Sequence, residues 1–372
     1  MSMAAERQRA GASASEPDRL EGFASPREVD RLFGHEAAVA EFEEARGSGR
    51  LHHAWLLVGR EGVGKATLAY RFARGLLAAG EADAANDPRH PVFRKVASLA
   101  HPNLLLLRRS LNEKTKRYGQ WIGVDEVRRL RAFLGYSAGE GGGWRVVVVD
   151  RADEMNQNAA NALLKALEEP PTRTLFLLVA SAEGKLPVTI RSRTRTLRVT
   201  ALNEEELAGA VRAALARDEY VVDEETLATA LALSDGSVRR ALELATGDGI
   251  DLYRDIVATL GALPELDAPR LHALADRLAG PSQTDQLALY VSLLLGLIER
   301  LIRFAATGEG ATEEERAIAH KLVGHANLGA WAEAWEAIAA AKDDAFALNL
   351  DRTLLLLDTW FRLSALARER PV

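Results

Sequence analysis

The residues with the clearest chemical signature are the glycines and the lysine in Gly59-Arg-Glu-Gly-Val-Gly-Lys65. The segment follows an apolar run at 54–58 and opens a helical pattern, the context in which glycines let backbone N–H groups converge on phosphate oxygens. Lys65 would supply positive charge near the terminal phosphates. A glycine-rich turn without a ligand is the less favoured alternative, and we predict that a nucleotide contacts Gly59, Gly62, Gly64 and Lys65.

The residue after the lysine departs from nucleotide-hydrolysing loops. Those loops carry Ser or Thr there because the hydroxyl coordinates magnesium, whereas this chain has Ala66. Thr67 comes next, but one helical residue is a rotation of about 100°, which should turn its hydroxyl away from a metal. We expect Thr67 to belong to the nucleotide-binding segment, magnesium to arrive only with a nucleotide, and the protein itself to form no metal site.

A second candidate is Asp150, which follows the apolar run 146–149. A carboxylate at the end of a buried strand is placed as a Walker B aspartate that holds magnesium. Nucleotide-hydrolysing proteins of this kind continue with a glutamate that polarises the attacking water, but here the residue is Arg151, and a cation cannot accept the proton of that water. Asp153 and Glu154 are expected to lie in a solvated turn. We therefore predict a pocket that binds nucleotide without hydrolysing it.

A parallel sheet would hold these residues in place. The runs at 54–58, 104–107, 146–149 and 175–179 show no polar alternation, as is typical of parallel strands covered by helices on both faces. Beyond residue 200 the β-branched runs stop, and Ala, Leu, Glu and Arg recur at helical spacing. The predicted fold class is α/β, followed by helical segments.

The composition limits the class of protein. The chain has 372 residues, enough for two or three domains, and its 48% hydrophobic and 27% charged residues are typical of globular proteins. A net charge of −6 argues against a strongly basic DNA-binding surface, so any contact with nucleic acid must be local. The lack of cysteine excludes disulfides and a Cys-ligated zinc site, and it agrees with a reducing cytoplasm.

Two further segments are classified by composition. Residues 1–28 are rich in Ala, Ser, Glu and Arg and contain no apolar core, so we expect a disordered tail. The most apolar run, 287–298, is shorter than the roughly 20 residues of a membrane span. We predict that it forms a buried helix and that the protein has no membrane association.

Downstream of Asp150, the segment Asn161-Ala-Leu-Leu-Lys-Ala-Leu-Glu-Glu-Pro-Pro171 resembles one shared by the clamp-loader subunits of bacterial DNA polymerase III, which are members of the AAA+ superfamily. This segment is highly specific. Further segments resemble the family's opening segment near the adenine, its Ser-Arg-Cys motif, its sensor 2 segment and its last collar helix, at 32–36, 186–194, 236–242 and 349–352. The resemblance extends in order and spacing over about 29–365.

The resemblance implies three domains. They are an AAA+ P-loop domain with a parallel sheet at 29–200, a small helical lid at 201–250, and an all-helical collar for oligomerisation at 251–372.

The resemblance also implies roles for two arginines. Arg193 matches the arginine of the Ser-Arg-Cys motif, which points across the subunit boundary at the neighbour's ATP, and such an arginine can raise the rate about 10³- to 10⁵-fold. Thr194 replaces the cysteine, which has no role at the phosphate. Arg239 matches a sensor 2 arginine that could contact phosphate. Without the resemblance, the preferred interpretation would be a solvated basic strand edge formed by Arg191, Arg193, Arg195 and Arg198.

Ala66 and Arg151 together resemble the branch of the family that does not hydrolyse ATP. That branch implies a rigid stator that assists ATP-driven loading of the sliding clamp onto primed DNA and completes a neighbour's ATPase site. The implied partners are the tau/gamma and delta subunits, with the beta clamp contacted indirectly and primed DNA within the complex. We expect a cytoplasmic subunit of a DNA-directed DNA polymerase holoenzyme, a nucleotidyltransferase, with little or no ATPase or polymerase activity of its own.

Some alternatives stay open. ADP or ATP should bind weakly or occasionally without useful turnover, and the four-cysteine zinc module of many relatives is missing from this sequence. Arg128, Arg129 and Arg131 lie on a predicted helix and could follow a DNA backbone, but solvated helix charges are the preferred interpretation. For the whole chain, the alternatives are an active tau/gamma-type ATPase, which Ala66 and Arg151 oppose, and a non-replicative AAA+ scaffold.

Overall fold

A computed structural model of the chain describes residues 16–79, 81, 86–112, 114, 117–135, 143–280, 283–348 and 350–368. The chain divides into two compact units, residues 1–245 and 246–372. Each unit has its own core.

The first unit is built on a five-stranded parallel sheet. Its strands are β1 Ala54–Val58, β2 Leu104–Leu107, β3 Arg145–Val149, β4 Thr174–Ala180 and β5 Arg195–Arg198, in the order β2-β3-β4-β1-β5. Every residue of β1, β2 and β4 is buried, which explains why their sequences show no polar alternation. The predicted α/β fold with a parallel sheet is confirmed. In open sheets of this kind, ligands bind beyond the carboxyl ends of the strands.

Helices cover both faces of this sheet. They are α1 Glu36–Gly47, α2 Lys65–Leu77, α3 Pro91–Ala97, α4 Val124–Gly135, α5 Gln157–Glu168 and α6 Val188–Arg191. Phe42 of α1 and Leu68 of α2 pack on one face, while Leu130 of α4 and Leu163 of α5 pack on the other. A short hairpin pairs Leu111–Asn112 with Arg117–Tyr118.

Three lid helices complete the first unit, α7 Glu204–Arg217, α8 Glu224–Ala232 and α9 Val238–Thr246, and the unit boundary falls after Ala245. Asn203 begins α7 with a capping box, since its side chain accepts from the Glu206 amide and the Glu206 carboxylate accepts from the Asn203 amide. The predicted division between sheet and lid at 200–201 lies inside one unit and stays a prediction.

Residues 16–28 contradict the predicted disordered tail. Phe23 is buried in the lid core and stacks on Tyr220, with the ring centroids 4.7 Å apart. Arg27 is buried and donates to the carbonyl at the end of α3 over 2.8 Å. A few specific anchors hold this segment, and composition alone does not detect such anchors. The remainder of the predicted tail, 1–15, lies outside the described residues.

The second unit is helical, as predicted. It contains α10 Gly249–Ala262, α11 Ala268–Leu278, α12 Thr284–Thr307, α13 Glu313–Leu322, α14 Leu328–Leu348 and α15 Arg352–Arg368. The apolar run 287–298 lies in α12, where Leu287, Leu294 and Ile298 are fully buried, so the prediction of a buried helix is confirmed. Within the described residues, no helix is both long and apolar enough to cross a membrane. Residue 349 of the predicted collar segment lies outside the described residues.

Candidate functional site

A cavity of about 450 Å³ opens at the carboxyl edge of the sheet. This volume falls in the range of about 300–1,000 Å³ that is typical of small-molecule sites. The glycine loop, the residue after β3, the lid and parts of 17–35 contribute to its wall. Gly59 is not on the wall, because it packs against the Val199 carbonyl behind the loop. The other residues predicted to bind nucleotide line the cavity, namely Gly62, Gly64, Lys65, Thr67, Asp150 and Arg239.

The glycine loop has a conformation that favours glycine. Gly62 and Gly64 have φ angles of +79° and +105°, in the left-handed region that residues with a Cβ rarely adopt. A Cβ on Gly62 would also lie 2.2 Å from the Ser237 hydroxyl oxygen. The start of α9 contacts the loop directly, because the Ser237 hydroxyl donates to the Glu61 carbonyl over 2.9 Å and the Val238 amide donates to the Gly62 carbonyl over 3.0 Å.

Lys65 folds back onto the loop that precedes it. Its ammonium group donates to the carbonyl oxygens of Gly59 and Arg60, each over 2.6 Å, and the residue is only 6% exposed. Burial lowers the pKa of Lys65 to about 8. The side chain is therefore largely charged at neutral pH and can attract an anionic phosphate that enters the cavity.

The Asp150 side chain is enclosed at the end of β3. Burial raises the pKa of Asp150 to about 7, and the charge of nearby Asp18 adds to this shift. Ala66 on the cavity wall offers no oxygen to a hard cation. These residues do not fit a protein-bound magnesium ion. Among the described residues, no group of three or more His, Asp or Glu side chains is arranged to hold a metal.

Arg151 links the glycine loop to the strand end. Its backbone is left-handed, with a φ angle of 58°, and its guanidinium lies 2.7 Å from a Glu154 oxygen and 3.4 Å from a Glu61 oxygen. A guanidinium has donors and no acceptor. The structure thus places a fixed cation, which cannot act as a base, directly after Asp150.

Asp153 and Glu154 do not form the predicted solvated turn. They lie in a short 3-10 helix, Ala152–Glu154. Asp153 accepts hydrogen bonds of 2.9 and 3.3 Å from two backbone amides of the loop after β4. Glu154 pairs with Arg109 as well as Arg151, and burial raises its pKa. The solvated-turn prediction is wrong because both acids have partners that are far apart in sequence.

Arg239 lies in the first turn of α9 and lines the cavity. Its Nε donates to a Glu243 oxygen over 2.8 Å, one turn further along the helix. A phosphate in the cavity would compete with Glu243 for this guanidinium.

Arg193 lies outside the cavity, in the turn between α6 and β5. Its guanidinium is 2.8 Å from a Glu168 oxygen and donates to a carbonyl of α6 over 2.9 Å, and 35% of the side chain is exposed. Glu168 belongs to the 161–171 segment, so two motifs of the sequence meet here. Arg195 and Arg198 differ from Arg193 in position, because they lie on the edge strand β5 and are exposed. The role of Arg193 towards a neighbouring subunit stays a prediction.

Arg128 and Arg129 each pair with an acid on their own helix. Arg128 lies 2.6 Å from an Asp125 oxygen, and Arg129 lies 2.7 Å from a Glu126 oxygen. Both arginine side chains are exposed. This arrangement favours the interpretation as solvated helix charges.

Motif analysis missed Asp18. Its side chain is 1% exposed and lies between the guanidinium groups of Arg27 and Arg108, at 3.3 and 2.5 Å. The sequence did contain a signal, because acids are closely followed by the apolar residues Leu20 and Phe23. Such a pattern fits a segment that is anchored to the fold better than it fits a disordered tail.

Fold and site together define a class of protein. A parallel sheet in the order β2-β3-β4-β1-β5, a glycine loop with lysine after β1, an aspartate after β3 and a helical lid are the arrangement of an AAA+ P-loop protein. In this chain, residues 34–203 match the family described as DNA polymerase III, delta subunit. The DNA polymerase III subunit delta' of Escherichia coli (strain K12) is 32% identical over 266 residues, which cover 71% of this chain and 74% of that protein. The chain belongs to the clamp-loader family of DNA polymerase III subunits, in its delta-prime branch.

Relatives with lower sequence identity include the tau and gamma subunits. DNA polymerase III subunit tau of Salmonella typhimurium (strain LT2) is 29% identical over 245 residues, which cover 64% of this chain and 37% of that protein. The matches span between 36% and 63% of the length of the tau and gamma relatives. A solved gamma subunit-related protein from Thermotoga maritima gives a TM-score of 0.40 at 18% identity, covering 88% of this chain and 98% of that one. The family assignment rests on the match with the delta-prime subunit.

Proposed function

We propose that the chain assists ATP-driven loading of the beta sliding clamp onto primed DNA, as the delta-prime subunit of a cytoplasmic clamp loader. Arg193 acts in trans at the ATP of a neighbouring tau or gamma subunit, while the chain itself is a rigid stator. The observation that carries this proposal is the position of Arg193, outside the chain's own cavity and with a third of its side chain exposed.

The contacts of Arg193 suit a residue that acts on another chain. The pairing with Glu168 holds the guanidinium at the surface, outside the cavity that the glycine loop lines. A partly exposed ion pair contributes little to stability, so exchange of the carboxylate for a phosphate costs little. A preoriented guanidinium would then neutralise charge that develops on the transferred phosphoryl group.

The chain's own pocket supports a role without hydrolysis. Lys65, Thr67 and Arg239 line a cavity that can hold ADP or ATP weakly, with magnesium present only as a complex of the nucleotide. Ala66 supplies no metal ligand, and Arg151 supplies no base. These two residues oppose the alternative of an active tau/gamma-type ATPase.

The second unit supports assembly through a helical collar. Leu354 and Phe361 are 64% and 54% exposed and lie seven residues apart on α15, a spacing that places them on one face of the helix. An exposed apolar face of this kind is suited to packing against helices of the tau/gamma and delta subunits.

The proposal is tested by reconstitution with tau or gamma, delta, the beta clamp and primed DNA. Arg193→Ala should assemble normally and lower the DNA- and clamp-stimulated ATPase, with a loss of about 10³-fold or more at the one site that Arg193 completes. Arg198→Ala is the matched control, because Arg198 is 77% exposed on the neighbouring edge strand. An Arg193→Ala complex that assembles and retains the full stimulated rate contradicts the proposal.

A further inference from the structure

The segment 16–24, here called the strap, forms part of the cavity wall. Its cavity-lining residues are Pro17, Asp18, Leu20, Phe23 and Ala24, and the glycine loop lies on the same cavity. No nucleotide motif of the sequence includes this segment.

The end of the strap is fastened to the lid. Phe23 is 3% exposed and stacks on Tyr220, which follows α7. The Ala24 amide donates to the Asp218 carboxylate over 3.3 Å. A Cβ on Gly22 would lie 2.0 Å from the Tyr220 hydroxyl oxygen, so the strap and the lid are in close contact.

The start of the strap is fastened to the sheet. Arg108 directly follows β2, and its guanidinium lies 2.5 Å from an Asp18 oxygen and 2.8 Å from a Glu16 oxygen. Arg27 pairs with the same two acids, at 3.3 Å from Asp18 and 2.5 Å from Glu16. Two carboxylates and two guanidinium groups therefore neutralise one another beside the nucleotide cavity.

Asp18 is the member of this cluster that lines the cavity. Burial raises the pKa of Asp150 to about 7, and the nearby charge of Asp18 adds to this shift. Arg27 and Arg108 do not line the cavity, so a phosphate there would lie on the Asp18 side of this cluster. Like charges repel strongly at a site with little water.

We propose that Asp18 determines how strongly the pocket binds nucleoside di- and triphosphates. The strap holds the Asp18 carboxylate where it occupies Arg27 and Arg108, and it fastens the lid to the sheet across the cavity. The pocket is thereby kept in a state of low affinity for anionic ligands. This inference rests on the proposed nucleotide pocket and is independent of Arg193.

The test uses the isolated full-length chain and titration calorimetry with ADP in the absence of magnesium. Asp18→Asn removes one of the two carboxylate charges and leaves Glu16 to pair with both guanidinium groups, so the cluster gains a net positive charge and we expect ADP to bind at least about tenfold more tightly. Glu21→Gln is the matched control, because it removes the same charge from an exposed strap position that does not line the cavity. It should bind ADP as the unchanged chain does.

Thermal unfolding shows whether the Asp18→Asn chain folds. If it does not fold, a second measurement on the unchanged chain still tests the proposal. Amide hydrogen exchange in 17–24 should become faster when millimolar ADP is added, because ligand entry displaces the strap. The proposal is overturned if a folded Asp18→Asn chain binds ADP no more tightly than the Glu21→Gln control. Unchanged or slower strap exchange with ADP also contradicts it. Neither assay involves the clamp loader, so failure here is distinguishable from failure of the Arg193 role.

Discussion

Lys65 and Asp150 give the cavity a charge that changes with pH close to neutrality. Burial lowers the pKa of Lys65 to about 8 and raises the pKa of Asp150 to about 7. As the pH rises, Asp150 becomes negative first and Lys65 then becomes neutral. Both changes make the pocket less attractive to an anion, so their effects on nucleotide affinity have the same sign.

We therefore predict that ADP affinity, measured by calorimetry without magnesium, falls roughly tenfold as the pH rises from about 6 to about 9. Asp150→Asn should remove the part of the decrease around pH 7, and Lys65→Met the part around pH 8. All three chains encounter the same titration of ADP itself, so their differences report the protein groups. An affinity in the unchanged chain that is constant or increases over this range would show that these groups do not control binding.

The glycine loop and the aspartate after β3 could be predicted from sequence because strand, loop and helix are local patterns. The partners that these residues have in the folded chain could not be predicted from sequence. Asp18 is 132 residues away from Asp150 in the chain, and Ser237 is 176 residues away from Glu61. Contacts at such separations depend on tertiary packing, which no local spacing records.

Among the elements, the glycine loop and the start of α9 are in close contact. A Cβ on Gly62 would lie 2.2 Å from the Ser237 hydroxyl and 2.6 Å from the Arg239 Cβ, at a residue with positive φ. Gly62→Ala should therefore destabilise the first unit by about 1–3 kcal/mol and loosen the lid. Urea unfolding and hydrogen exchange of α9 measure these two effects.

Gly47→Ala is the control for this prediction, because nothing lies within 4 Å of a Cβ at Gly47, at the end of α1. It should be neutral or stabilising by up to about 1 kcal/mol. Equal stability of the two variants would mean that the lid does not press on the loop.

The second unit contains a buried ion pair that links two helices. Arg300 of α12 and Glu315 of α13 lie 2.8 Å apart, and the Tyr253 hydroxyl donates to the same carboxylate oxygen over 2.5 Å. Glu315→Ala should cost about 3–5 kcal/mol, because it removes the carboxylate that pairs with a buried guanidinium. Asp358→Ala, which breaks an exposed pair with Arg362, should cost less than about 1 kcal/mol. Denaturant unfolding of this unit provides the comparison, and equal losses would contradict it.

This ion pair also predicts a dependence of stability on pH. Although burial opposes ionisation of Glu315, Arg300 and its other donors lower the pKa of this carboxyl group overall. A lowered pKa in the folded state adds stability above the usual carboxyl pKa, and this stability is lost as the pH falls. The unchanged unit should therefore lose more stability on acidification than Glu315→Ala. An equal loss of stability in both chains would show that Glu315 does not cause this dependence on pH.

Element types were more predictable than their ends and their tertiary contacts. The capping box at Asn203 follows from local chemistry, as does the buried helix through 287–298, whose prediction is confirmed. The strap was missed because its anchors are single ion pairs and one aromatic stack, which do not form a periodic pattern.

At the scale of the whole molecule, assembly should depend on the exposed apolar face of α15. Phe361→Glu would place a charge on this face without disturbing the core, since Phe361 is 54% exposed. We predict loss of co-elution with the tau/gamma and delta subunits and an unchanged unfolding temperature of the isolated chain. Val221→Glu, at a fully exposed lid position, should assemble normally. Intact complexes with Phe361→Glu would show that the collar binds through another face.

In the proposed function, the chain's own pocket does not turn over ATP, and its Arg193 acts at the ATP of a neighbour. The most direct test compares Arg193→Ala with Asp150→Asn in one reconstituted clamp loader, with DNA- and clamp-stimulated ATPase as the readout. We expect a clear loss of stimulated ATPase with Arg193→Ala and no loss with Asp150→Asn. The opposite result, a loss with Asp150→Asn and none with Arg193→Ala, would contradict it.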